Sequence, residues 1–117
     1  MFLQYYVTDS TTGNRVNIEI DAATKADLDA TRNGWQTVWN TDFILDPQKE
    51  KYAAKTEDGE IIALGAYRVR KGSVAVYIAY IESQPESNPT LVEHKKYSGI
   101  GKAMIAFGIQ LSIDASC

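Results

Sequence analysis

The chain has 117 residues, of which 44% are hydrophobic and 23% are charged, and its formal net charge is −3. These values are ordinary for one globular domain with a single core, and the acidic balance argues against a nucleic-acid-binding protein. The one cysteine, Cys117, excludes a disulfide within the chain, and the lack of a signal peptide or a long apolar run predicts a cytoplasmic protein without a membrane span.

The N-terminal segment predicts a β-hairpin. Residues 15–21 alternate strictly between apolar and polar side chains, which is typical of a half-buried strand. Residues 2–8 alternate less cleanly, and the turn-forming sequence DSTTGN lies between the two segments. The predicted inner rows are Leu3, Tyr5 and Val7 in the first strand and Val16, Ile18 and Ile20 in the second.

The apolar period changes to that of a helix over residues 23–40. Thr24 followed by Asp27 is a plausible capping pair, whereas Gly34 weakens a helix by about 1 kcal/mol relative to alanine. The predicted apolar face carries Leu28, Thr31, Trp35, Val38 and Trp39. The two tryptophans either anchor the core or line a substrate groove.

The next segment predicts a three-stranded antiparallel meander. Residues 51–56 and 61–70 flank Asp58-Gly59, a dipeptide typical of a tight hairpin turn. RKGS provides the second turn, and residues 74–83 are apolar on both faces. We therefore expect the third strand to be covered on both sides.

A long loop with two prolines follows, and residues 99–114 then predict a helix. Loops of this length tend to be functional or flexible. The helix is apolar almost all round, so we expect it to be buried on more than one side.

The start of this helix has the residues of an anion site. The first N–H groups of a helix are unpaired and lie at the positive end of its dipole, and Gly99 and Gly101 leave room for a bulky anion. Positive charge and a hydroxyl come from Lys95, Lys96, Ser98 and Lys102. The alternative is a tight strand-to-helix turn with solvated lysines.

Two nucleotide-binding loops are excluded by the residues around the glycines. A Walker A loop requires glycine five positions before Gly99 and Ser or Thr after Lys102, where the chain has His94 and Ala103. The dinucleotide fingerprint requires a small residue at Met104 and a parallel βαβ unit, whereas an antiparallel meander precedes this glycine pair.

The order of elements resembles the GNAT superfamily of acyl-CoA N-acyltransferases. The family signature, Arg/Gln-x-x-Gly-x-Gly/Ala before an apolar helix, reads KYSGIG at residues 96–101, with lysine in place of Arg or Gln. The resemblance implies an α+β fold: an N-terminal hairpin and helix, an antiparallel meander and a glycine-started buried helix. Residues 1–117 would form a single GNAT-like domain without the family's C-terminal strand-helix-strand part.

The resemblance also implies acetyl-CoA as cosubstrate, an unidentified amine as acceptor, and no metal. The positions that match the pyrophosphate-binding loop are Lys96, Tyr97, Ser98, Gly99, Ile100, Gly101, Lys102 and Ala103. Ile81 and Ser83 match the strand that binds the pantetheine arm. Glu82 is the candidate general base, or else a solvated strand-end carboxylate. His94, a residue type common in acid–base catalysis, lies in the loop.

Two functions follow from the resemblance. The first is an N-acetyltransferase that transfers an acetyl group from acetyl-CoA to an amine. The second is a catalytically incomplete domain that binds coenzyme A or serves as a dimerisation or interaction module, since the family's leaving-group tyrosine has no counterpart after Tyr97. The apolar helix favours a homodimer in either case.

Overall fold

The computed structural model describes residues 4–32, 34–37, 39, 50–69 and 76–115. Within these ranges six strands form one curved antiparallel sheet in the order β5-β4-β3-β2-β1-β6. The elements are β1 (Tyr5–Asp9), β2 (Arg15–Ala22), α1 (Lys25–Asp29), β3 (Glu50–Thr56), β4 (Ile61–Val69), β5 (Val76–Ser83), β6 (Tyr97–Ser98) and α2 (Ile100–Ala115). The α+β class predicted from the sequence is therefore confirmed.

The N-terminal hairpin forms as the alternation predicts. β1 pairs antiparallel with β2, with Tyr5 opposite Ile18 and Val7 opposite Val16. Val7 and Ile18 are buried in the core, and Tyr5 and Val16 pack against them. Leu3, the first residue of the predicted inner row, lies outside the described residues.

The predicted meander is confirmed in its three strands. β3 pairs with β4, and β4 pairs with β5, both antiparallel. Gly59 has φ +85° in the turn between β3 and β4, a left-handed conformation that glycine adopts without steric cost. The predicted second turn at residues 70–73 lies outside the described residues.

The capping pair at the start of α1 is confirmed. The Asp27 backbone N–H donates to Thr24 Oγ1 at 3.1 Å, and the Thr24 N–H donates to Asp27 Oδ2 at 2.9 Å. Asp27 also forms an ion pair with Lys55 of β3, with Oδ1 2.9 Å from Nζ. The same carboxylate therefore caps α1 and ties it to the sheet.

The prediction of one helix over residues 23–40 is wrong beyond α1. The chain continues into a 3-10 turn at Ala30–Arg32, and Gly34 has φ +91°, outside the helical region. Trp39 donates its indole N–H to Glu82 of β5 at 2.8 Å. In this segment the backbone N–H groups of Gln36 and Thr37 also donate to the buried Glu82 carboxylate, so the segment is tied to β5.

Side chains fill both faces of the sheet. One face, covered by α2, buries a cluster that includes Val7, Ile18, Ala54, Ile62, Tyr67 and Met104. The other face, covered by α1 and the segment after it, buries Leu28, Trp39, Ala53, Leu64 and Ala66. Trp39 is fully buried, and Trp35 is partly buried and packs against the same cluster. Of the two alternatives predicted for the tryptophans, both side chains therefore follow the one that places them in the core. Val38 lies outside the described residues.

The long loop after β5 crosses one end of the sheet. It contains a 3-10 turn at Pro85–Ser87 and ends in β6, which pairs with β1 at the edge opposite β5. The Lys96 N–H donates to the Glu86 carbonyl at 2.8 Å, and Asn88 donates its side-chain amide to Gln36 at 2.9 Å. The loop is therefore held by specific hydrogen bonds, and β6 is an element that the sequence did not predict.

α2 packs its inner face on the sheet through aromatic side chains. Phe107 contacts Tyr52 edge-on at a centroid distance of 4.7 Å, and Tyr67 donates its hydroxyl to the Met104 carbonyl at 2.8 Å. The outer face is different, because Ile105 and Ile109 are 50% and 59% exposed. The expectation that the helix is buried on more than one side is therefore wrong within the described part of the chain.

Across the ranges described above, no helix has both the length and the apolar character needed to cross a bilayer.

Candidate functional site

The turn between β6 and α2 is the structural basis of the candidate site. β6 ends at Ser98, and Gly99 adopts φ +88°, a left-handed torsion that disfavours any side chain. The Ala103 N–H donates to the Gly99 carbonyl at 3.0 Å, which is the first hydrogen bond of the helix. The N–H groups of Ile100, Gly101 and Lys102 precede it and so have no acceptor within the helix.

The approach to these three N–H groups is open. A Cβ atom built on Gly99 or on Gly101 would meet no atom of the described residues within 4 Å, and Gly101 and Lys102 are exposed. The positive end of the helix dipole and the Lys102 ammonium both favour an anion at this point. The clearance predicted for the two glycines is therefore present.

Lys96, the first residue of the signature, is engaged elsewhere. Its Nζ lies 2.9 Å from Glu60 Oε2, and the hydrogen bond to Glu60 raises the pKa of Lys96. Burial alone would raise the pKa of Glu60, but hydrogen bonds from Gln84 and Lys96 outweigh it and hold that pKa below the usual range. The charge of Lys96 is thus paired with the Glu60 carboxylate. Lys95 and Lys102, which flank the turn in sequence, are exposed.

Tyr97 and Ser98 serve the fold at this position. The Tyr97 N–H donates to Ser87 Oγ at 3.0 Å, and its hydroxyl lies 3.2 Å from Glu60 Oε1. Ser98 pairs with Thr8 of β1. Of the predicted pyrophosphate-binding residues, the donors that remain available on α2 are those of Ile100, Gly101 and Lys102.

Among the described strands β5 lies at an edge of the sheet, and none of them pairs with the outer side of its last residues. The Gln84 N–H donates to the Ile62 carbonyl at 2.7 Å. Because hydrogen-bonded and non-bonded pairs alternate along an antiparallel ladder, Ile81 and Ser83 direct their N–H and C=O groups away from β4. These are the two residues predicted to contact a pantetheine arm. A β-bulge, with Ala79 as the extra residue, precedes them.

The Ser83 end of β5 and the start of α2 lie at the same end of the strands but towards opposite edges of the sheet, because α2 follows β6, which pairs at the edge opposite β5. The Met104 methyl lies 2.9 Å from a Cβ built on Gly65, which pairs with Ile81. One turn later, a Cβ on Gly108 would lie 3.4 Å from Ile78 Cδ1. α2 therefore runs antiparallel to β5, and its first turn points towards the Ser83 end of the strand.

Glu82 occupies a different environment from the one expected of an exposed base. It is 4% exposed, and its oxygens accept hydrogen bonds from the backbone N–H of Gln36 at 2.6 Å and of Thr37 at 3.2 Å. The Trp39 indole N–H is the third donor, at 2.8 Å. The alternative of a solvated carboxylate is therefore wrong, and the role of general base stays a prediction. His94, the other titratable candidate, is exposed in the loop.

A cleft of about 800 Å³ beside α2 was not predicted from the sequence. Tyr5 and Phe107 contribute aromatic surface, and the remaining lining is Gln4, Asn17, Ile18, Glu19, Ile20, Asp21, Glu57, Gln110 and Asp114. Among the described residues four carboxylates and no lysine or arginine line it, so it favours a cation over a phosphate. In the part of the chain that the structure describes, no group of three or more His, Cys, Asp or Glu side chains is arranged to hold a metal ion.

Comparison of the chain with protein-family models, with curated proteins and with solved structures finds no match. A functional assignment therefore depends on the residues and geometry described above.

Proposed function

We propose that the chain is a GNAT-like domain that binds coenzyme A or acetyl-CoA at the start of α2 and along the free edge of β5. The observation that carries the proposal is the open, glycine-flanked helix N-terminus at the same end of the strands as Ile81 and Ser83, with the intervening strands of the sheet between them. A linear ligand with a phosphate part and an amide-bearing part requires such a pair of features. The donor set fits the ligand, because backbone N–H groups bind phosphate and pair with amides.

Each group would have one task. The N–H groups of Ile100, Gly101 and Lys102 would donate to the pyrophosphate, and the Lys102 ammonium would add charge. The free N–H and C=O groups of Ile81 and Ser83 would pair with the pantetheine amides, as a strand edge pairs with a peptide. Bound acetyl-CoA would supply the activated acyl group, and an edge N–H could polarise its thioester carbonyl.

The expected reaction is acetyl transfer to an amine. An amine nucleophile must lose a proton, and the three hydrogen bonds that Glu82 accepts occupy most of the lone pairs that a base would use. This observation favours a second candidate function, binding of coenzyme A without turnover. The acidic cleft would suit a cationic amine, so diamines and polyamines belong among the acceptors to be assayed.

Calorimetric titration with coenzyme A tests the binding proposal. We expect saturable heat for the wild type and none for Gly101→Glu, because the new carboxylate fits sterically but repels phosphate at the helix start. Ala26→Glu adds the same charge at an exposed position of α1, on the opposite face of the sheet, and should bind as the wild type does. No heat with the wild type, or equal heat with Gly101→Glu, would refute the assignment.

A thiol-release assay on the same protein sample distinguishes the two candidate functions. Thiol release from acetyl-CoA in the presence of diamines and polyamines would identify an acetyltransferase. Binding without thiol release for every amine would identify the incomplete domain.

A further inference from the structure

Gln84, Glu60, Tyr97 and Ser87 form a hydrogen-bonded network at one end of the sheet. Gln84, directly after β5, donates its side-chain amide to Glu60 Oε2 at 2.8 Å. Tyr97 of β6 donates its hydroxyl to Glu60 Oε1 at 3.2 Å. The Ser87 hydroxyl donates to Gln84 Oε1 at 2.9 Å, and Ser87 Oγ accepts from the Tyr97 backbone N–H at 3.0 Å. These contacts form a closed circuit, which we call the Glu60 network.

The Glu60 network connects the two halves of the proposed coenzyme A site. Gln84 follows Ser83 at the end of β5, and Tyr97 lies three residues before the first residue of α2. β5 and β6 are at opposite edges of the sheet, and the network joins them through side chains. Gln84 and Ser87 are each 2% exposed, so water does not readily replace their partners. The network therefore acts as a spacer between the Ser83 end of β5 and the turn before α2.

Glu60 is the residue on which the network depends. Its carboxylate also accepts from Lys96 Nζ at 2.9 Å, so three donors from two segments of the chain converge on it. With alanine in place of Glu60, the Tyr97 hydroxyl would lose this acceptor, and the Gln84 amide would keep only its contact with Glu86, at 3.1 Å. Buried polar groups without partners are costly, so the loop and β6 would adopt other arrangements.

We propose that Glu60 is a positioning residue that sets the distance between Ser83 on β5 and the N–H groups at the start of α2. The inference rests on the proposed function, because a ligand that contacts both places needs them at one fixed separation. A site that is already held in its bound arrangement avoids the entropic cost of ordering the loop when the ligand binds.

Charge and position make opposite predictions for the removal of Glu60. Loss of a carboxylate, with release of Lys96, would strengthen phosphate binding if charge alone mattered. Loss of the spacer would weaken binding, because coenzyme A would have to order the loop and β6. The sign of the change therefore identifies the role of Glu60.

Calorimetric titration with coenzyme A measures that sign. We expect Glu60→Ala to bind about tenfold more weakly than the wild type. Glu60→Gln should bind as the wild type does, because its C=O group accepts from Gln84 and Lys96 while its NH2 group donates to the Tyr97 hydroxyl. Glu93→Ala is the control, since it removes the same charge at an exposed position of the loop and should leave the affinity unchanged.

Amide hydrogen exchange of the ligand-free protein tests the spacer without coenzyme A. The Tyr97 N–H, which donates to Ser87, should exchange about tenfold faster in Glu60→Ala and at the wild-type rate in Glu93→Ala. Tyr97→Phe keeps the buried aromatic side chain and loses only the hydroxyl, so it makes the same test with a smaller change. It should speed exchange at residue 97 by about threefold.

The two measurements separate this inference from the proposed function. A wild type that gives no heat with coenzyme A would refute the coenzyme A site, and the exchange rates would then decide by themselves whether Glu60 orders the turn before α2. If the wild type binds, equal or tighter binding by Glu60→Ala, or Glu60→Gln as weak as Glu60→Ala, would overturn the role of Glu60. Unchanged exchange at residue 97 in both Glu60→Ala and Tyr97→Phe would overturn it as well.

Discussion

The buried carboxylate of Glu82 holds the segment after α1 to the end of β5. Three N–H donors converge on its two oxygens, and the side chain is almost fully buried. Hydrogen bonds to a charged acceptor are among the stronger ones, and donors left unpaired in a buried site are costly. At the residue scale Glu82 is thus a structural anchor, which its position at a strand end did not suggest.

Replacing Glu82 by glutamine tests this role. Gln keeps the size but sets an NH2 group against N–H donors, so we expect the free energy of unfolding to fall by about 2–4 kcal/mol. Urea unfolding followed by tryptophan fluorescence measures it, since Trp39 is one of the donors. Glu93→Gln, at an exposed loop position, should stay within about 0.5 kcal/mol of the wild type. Equal stability of both variants would speak against the anchor.

The packing of α2 on the sheet depends on a close approach at Gly65. A Cβ there would lie 2.7 Å from Tyr67 Cε2 and 2.9 Å from the Met104 methyl. Tyr67 is held in place by its hydrogen bond to the Met104 carbonyl, and both side chains are fully buried. At the element scale, this glycine sets the distance between helix and strand.

Gly65→Ala should therefore overpack the helix–sheet contact and cost about 1–3 kcal/mol. Gly101→Ala is the matched control, because a Cβ there meets nothing within 4 Å and alanine is the better helix former, with a gain of up to about 1 kcal/mol. Thermal unfolding of the two variants gives the comparison. If Gly65→Ala proved as stable as Gly101→Ala, the close approach would not exist in solution.

The elements that could be predicted from the sequence are those whose residue pattern lies within the element itself. The alternation of Val16 and Ile18 in β2 and the apolar run of α2 were enough, because periodicity reports which face is buried. The path of the chain after α1 was missed, because Gln36 there donates to Glu82, which lies 46 positions away along the chain. β6 has two residues and no periodicity to detect.

The part of the candidate site that depends on single residues could be predicted from the sequence, and the part that depends on distant contacts could not. The clearance at Gly99 and Gly101 follows from residue type. The pairing of Lys96 with Glu60 does not, because it joins the loop to the start of β4 across 36 positions. Only the folded structure shows that Glu60 neutralises Lys96, the first residue of the signature motif.

On the scale of the whole molecule, the proposed coenzyme A site joins two elements that are distant in the chain. The first turn of α2 would bind the phosphate part of the ligand, and the end of β5 would bind the amide-bearing part. The homodimer expected from the apolar helix stays a prediction.

The most direct test of the central claim is a titration of the assigned amide NMR spectrum with coenzyme A. The binding account predicts the largest shifts at Ile100, Gly101 and Lys102, with further shifts at Ile81 and Ser83 on the edge of β5. The amides of the acidic cleft should move little. An unchanged spectrum, or shifts confined to the cleft, would contradict the coenzyme A site.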